Sequence, residues 1–67
     1  MSEKDRMLKW FEYKHLPPDL QPISAMFSNV VYELTQVIEP GPERTVAFRK
    51  LLEAKDAAVR AKLHPGG

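Results

Sequence analysis

Two proline-bounded breaks constrain this chain more than any other feature, because they fix where helices have to stop. Pro17-Pro18 ends any helix begun before it. It also pushes Tyr13-Lys14-His15-Leu16 toward an extended shape, since the residue before a proline avoids the helical region. Glu39-Pro40-Gly41-Pro42 is a second, more compact break. There a glycine suits the position after a helix and Pro42 suits the first turn of the next one. A connection this short predicts an antiparallel pair of helices. The expected architecture is all-α and a single domain: an N-terminal helix and Pro-bounded segment over 1–18, a first long helix over 19–39, a second over 42–63, and a tail over 64–67.

Within these bounds the side chains follow helical spacing. Ser2 and Asp5 resemble an N-cap pattern ahead of Met7, Leu8, Trp10 and Phe11, which suit a short amphipathic helix. Asp19 is the expected N-cap of the first long helix, and Pro22 is tolerated in its first turn, where the missing N–H has no intrahelical partner in any case. Leu20, Ile23, Phe27, Val30, Leu34 and Val37 recur at alternating spacings of three and four, a helix seam. Met26, Val31 and Ile38 widen it, either toward a second contact face or against Trp10 and Phe11. On the second long helix Ala47, Leu51, Ala54, Ala58 and Ala61 form one stripe, and Phe48, Leu52, Val59 and Leu63 an adjacent one. Alanines let helix axes approach closely, so the alanine stripe is expected to meet the first long helix and the Phe/Leu/Val stripe to meet other subunits.

Composition narrows the class. Of 67 residues, 43% are hydrophobic, too many for a compositionally disordered chain, while the longest apolar runs are far too short to span a bilayer. The charged start Ser2-Glu3-Lys4-Asp5-Arg6 shows no export signal and the chain contains no cysteine, so a cytoplasmic setting is expected, with no membrane partner. A core this small, without disulfides or a Cys/His metal site, points to homo-oligomerisation as the source of stability. A net charge of +1 argues against a general DNA or RNA binder. The charge is nonetheless divided. Residues 16–40 carry Asp19, Glu33 and Glu39 and no lysine or arginine, whereas 41–67 carry Arg44, Arg49, Lys50, Lys55, Arg60 and Lys62 against Glu43, Glu53 and Asp56. Such a division serves either an acidic helix lying on a basic one or the steering of a ligand.

Recognisable catalytic chemistry is missing from the sequence. There is no P-loop, dinucleotide fingerprint or His-Glu-x-x-His helix, and His15 and His64 stand far apart. Ser24, Ser28 and Thr45 have no evident base beside them, and no metal or cofactor is expected. Glu43, Glu53 and Asp56 read as partners for bases on their own helix, Asp56 for Arg60 among them. What remains suits an anionic, aromatic ligand. Arg44 and Arg49 offer planar forks for phosphate, Thr45 a hydroxyl, and the start of the second helix its backbone donors. Trp10, Phe11 and Tyr13, interleaved with Lys9, Lys14 and His15, suit stacking on a base while a cation meets its phosphate.

The run Tyr13-Lys-His-Leu-Pro17, the pair Leu20-Gln21, and Gly41-Pro-Glu-Arg-Thr45 continuing through Lys50-Leu-Leu-Glu-Ala-Lys55 together resemble the hairpin domain shared by phage anti-CBASS protein 2 and the related Thoeris anti-defence sponge. The resemblance covers roughly residues 11–63. It implies a small helical protein, typically a homohexamer, that sequesters the cyclic nucleotides bacteria make as immune alarm signals and does not cleave them. Cyclic dinucleotides and cyclic trinucleotides occupy separate pockets between subunits in that family, and some members bind cyclic ADP-ribose isomers. Tyr13 matches the family's N-terminal aromatic, Arg44, Thr45 and Lys50 its second-helix motif, and Gln21 and Ser24 its polar positions near the start of the first long helix. This chain departs from some relatives in having no basic residue on that helix, which shifts weight to the second-helix arginines. The ligand-contacting set expected is thus Tyr13, Lys14, His15, Gln21, Ser24, Arg44, Thr45, Arg49 and Lys50. The competing expectation is an oligomeric helical-hairpin adaptor that binds another protein and holds no small ligand.

Overall fold

The computed structural model describes residues 8–66. The described chain is all-helical: a 3₁₀ turn over residues 8–11, helix α1 over Gln21–Val37 and helix α2 over Pro42–Leu63. The cap expected at Ser2 and Asp5, and Met7 with it, lie outside the described residues. Where the sequence predicts a short α-helix, Leu8–Phe11 make a single 3₁₀ turn, whose exit is marked by the Glu12 N–H bonding to the Lys9 carbonyl at 3.3 Å.

Both proline breaks fall where expected, but their caps differ. A turn closed by the Leu20 N–H on the Pro17 carbonyl (2.9 Å) leads into α1, and Leu20, already near helical dihedrals, takes the N-cap position. Asp19, expected as the cap, lies in that turn, and no side chain caps the helix. Pro22 sits in the first turn without cost. The helix stops at Val37 because Glu39 precedes Pro40 and avoids the helical region; Ile38 is already extended. Gly41, expected to follow α1, instead serves as the N-cap of α2 in an extended conformation open to any residue. Pro42 and Glu43 open α2, and Arg60 and Lys62 close it, which sets charges favourably against the helix dipole at both ends.

The core is built from three elements. Phe11 of the 3₁₀ turn, Val31 of α1 and Phe48 of α2 are each only 2% exposed, and Leu8, Phe27, Leu34, Leu51 and Leu52 pack around them. The Phe11 and Phe48 rings meet edge to face, 6.4 Å apart at 70°. This arrangement corrects two expectations about helix faces. On α1 the inward line is Leu20, Ser24, Phe27, Val31 and Leu34, so Val31 belongs to the core while Val30 and Val37 of the expected seam stand exposed, Val37 at 78%. On α2 Phe48 and Leu52 of the stripe expected to meet other subunits turn inward together with Leu51 of the alanine stripe, whereas Ala54, Ala61 and Leu63 face solvent. Phe11, from outside the helix pair, is what Phe48 meets there.

Candidate functional site

The nine residues expected to contact ligand do not form one site. Their fates follow from which backbone groups lie within reach of each side chain.

At the start of α2 the polar groups are occupied by the hairpin itself. Ile38 ends α1 and its carbonyl accepts a 2.8 Å hydrogen bond from Arg44 Nη1. The Arg44 guanidinium lies over the Phe48 ring, 5.1 Å from its centre, and the residue is only 6% exposed. Thr45 turns back on the same connection: both its N–H (3.0 Å) and its hydroxyl (3.2 Å) donate to the Gly41 carbonyl. Arg44 therefore ties the end of α1 to α2, while the Thr45 bonds stay within the first turn of α2. The physical reason is the α1 terminus, whose carbonyl needs a donor and finds the guanidinium six residues on.

Gln21 is likewise engaged. Its amide Nε2 donates to the Leu16 carbonyl at 2.8 Å and lies 3.4 Å from the Lys14 carbonyl, and the Leu16 N–H bonds to the Tyr13 carbonyl at 3.0 Å. Gln21 thus holds the shape of the Tyr13–Leu16 turn. Ser24 is 0% exposed, with a hydroxyl that has no hydrogen-bond partner among the described residues.

Tyr13, Lys14 and His15 do converge. With Glu12 and Ser28 they line an open cleft of about 470 Å³ between the braced turn and α1, within the size range of small-molecule sites. Tyr13 is half-buried, Lys14 and His15 are exposed, and none of the three spends its side chain on a hydrogen bond or ion pair with a described residue. Sequence reasoning missed Ser28 and Glu12 as lining residues. The signal for Ser28 was present: Gln21, Ser24 and Ser28 stand at i, i+3 and i+7, a polar line down one face of α1. His15 and Ser28 share the cleft without a hydrogen bond between them. Arg49 and Lys50 are exposed on α2 and line none of this cleft.

A further residue escaped the sequence reading. Lys55 donates from Nζ to the Trp10 carbonyl at 2.6 Å, lies 5.8 Å from the centre of the Phe11 ring, and ties the 3₁₀ turn to α2. A single lysine in an Ala/Leu/Lys helix carries no local mark of such a role. Asp56, expected to pair with Arg60, stands 4.0 Å from this lysine instead.

Among the described residues no three His, Cys, Asp or Glu side chains are grouped to hold a metal ion, and no helix is long and apolar enough to cross a membrane. No protein-family model, curated protein or solved structure matches the chain.

Proposed function

We propose that this chain is a non-enzymatic sponge for cyclic oligonucleotide second messengers, a phage anti-defence protein that suppresses CBASS-type signalling in the bacterial cytoplasm by lowering the free messenger. The observation that carries the reading is the Tyr13–Lys14–His15 cleft. An aromatic face, a lysine and an imidazole are brought side by side on a turn whose backbone is braced by Gln21, the combination that stacks a base and meets its phosphate. The resemblance of Tyr13–Pro17 and Gly41–Thr45 to the anti-defence hairpin domain supports the same ligand class, and a homohexamer as the working assembly. Within this reading Arg44 acts by tying α1 to α2, and the ligand is recognised at the turn.

A helical-hairpin adaptor is the second reading, favoured by Met26, Val30 and Val37, which stand exposed along one side of α1 and offer an apolar strip to another protein. Calorimetric titration with cyclic di- and trinucleotides separates the two, on a sample whose assembly is first measured by light scattering. Saturable binding that Tyr13→Ala weakens supports the sponge. An assembled sample that binds no cyclic nucleotide supports the adaptor. Ligand recovered after heat denaturation should be chemically intact; linear products whose formation Ser28→Ala abolishes would overturn the non-enzymatic reading.

A further inference from the structure

One residue of the Tyr13 cleft is at odds with the others. Tyr13, Lys14 and His15 suit a base and its phosphate, whereas Glu12 brings a carboxylate into the same lining. A carboxylate repels phosphate, so Glu12 is useful to a nucleotide only where the base lies. It is exposed, and its side chain makes no hydrogen bond or ion pair with a described residue. A carboxylate only accepts hydrogen bonds, and it holds two oxygens side by side. Among the Watson–Crick edges by which proteins read an unpaired base, guanine's sets two donors next to each other, N1–H and N2–H₂. Adenine and cytosine set one amino donor beside a ring-nitrogen lone pair, which a carboxylate oxygen repels, and uracil sets a single N–H between two carbonyls.

We propose that Glu12 makes this cleft selective for guanine: the base stacks on Tyr13 and donates from N1–H and N2–H₂ to the two Glu12 carboxylate oxygens, while Lys14 meets the phosphate. The inference rests on the cyclic-nucleotide reading of the cleft and names the messengers it takes, those that contain guanine. Hydrogen bonds to an ionised acceptor are the strong ones, and a paired set of them fixes the orientation of the base as well as its identity. A base that offers the carboxylate a lone pair in place of a donor leaves one oxygen unpaired and repelled, which is how a polar site rejects an otherwise similar ligand. Lys14, the neighbour of Tyr13 in the same lining, offsets the charge that Glu12 sets against an anionic ligand.

The test is calorimetric titration of the full chain with cyclic di-GMP and with cyclic di-AMP, repeated on Glu12→Ala and Glu12→Gln. The parent is expected to bind cyclic di-GMP at least about tenfold more tightly, the discrimination a bidentate base contact supplies. Glu12→Ala should bind the two alike, and Glu12→Gln, which offers one donor beside one acceptor, should bind cyclic di-AMP more tightly than the parent does. Both variants should keep the parent's circular dichroism and thermal midpoint, since the Glu12 side chain bonds to no described residue. A parent that binds both ligands alike or prefers cyclic di-AMP, or a guanine preference that survives in Glu12→Ala, would overturn the assignment and leave the sponge reading standing. A parent that binds neither overturns the assignment too, and the sponge reading falls with it if cyclic trinucleotides also fail to bind.

Discussion

The start of α2 and the Tyr13–Leu16 turn carry similar inventories of polar side chains and put them to opposite use. At the α2 start, Arg44 spends a donor on the Ile38 carbonyl at the end of α1, and Thr45 spends its N–H and hydroxyl on the Gly41 carbonyl in the first turn of α2. At the turn, the backbone carbonyls of Leu16 and Lys14 are served by Gln21 from α1. That leaves Lys14 and His15 exposed and Tyr13 on the cleft wall. The difference is not in residue type. A cation becomes structural when an unsatisfied carbonyl lies within its reach, and stays available when another side chain has already satisfied it.

The largest effect expected is on stability at the clasp. Arg44→Ala removes a charged hydrogen bond worth about 1.5–3 kcal/mol and the packing of the guanidinium on Phe48, and leaves the Ile38 carbonyl without this donor. Urea denaturation should show a loss of at least that size, with ligand affinity per folded molecule unchanged; an affinity collapse in a variant of normal stability would erase the contrast between the two regions. Tyr13→Ala should behave in the converse manner. Its stability should hold while affinity for a stacked base falls by about 1–3 kcal/mol, measured by calorimetry. Gln21→Ala probes the brace and should cost about 1 kcal/mol of stability together with a smaller loss of affinity, because the turn no longer holds its side chains in place. A Gln21→Ala protein that binds like the parent would show that the turn needs no support. The smallest effect belongs to Gly41→Ser. The position is extended, a Cβ there meets nothing within 4 Å, and a hydroxyl cap adds only about a few tenths of a kcal/mol over glycine.

The prolines made the helix boundaries legible to within a residue or two, since their effect on the backbone is local and does not wait for tertiary structure. The buried faces were less legible. The seam through Ile23, Val30 and Val37 and the observed line through Ser24 and Val31 differ by one position in register. Scoring apolar residues alone rejects a line containing a buried serine. On α2 residues of both stripes turn inward, and Phe48 does so against Phe11, a residue from outside the hairpin whose arrival no periodicity within α2 announces. The site divided in the same way. Tyr13, Lys14 and His15 are contiguous in sequence, so their grouping was readable. The fate of Arg44, by contrast, rested on where the Ile38 carbonyl points, which only the folded connection reveals.

The central claim is that ligand recognition lies at the braced turn and not at the start of α2. Mapping amide shifts during titration with a cyclic dinucleotide tests it most directly. The account predicts saturable changes at Glu12–His15 and Ser28, with Gly41–Thr45 unmoved; changes centred on Gly41–Thr45 with a silent turn, or no saturable change at either, would contradict it.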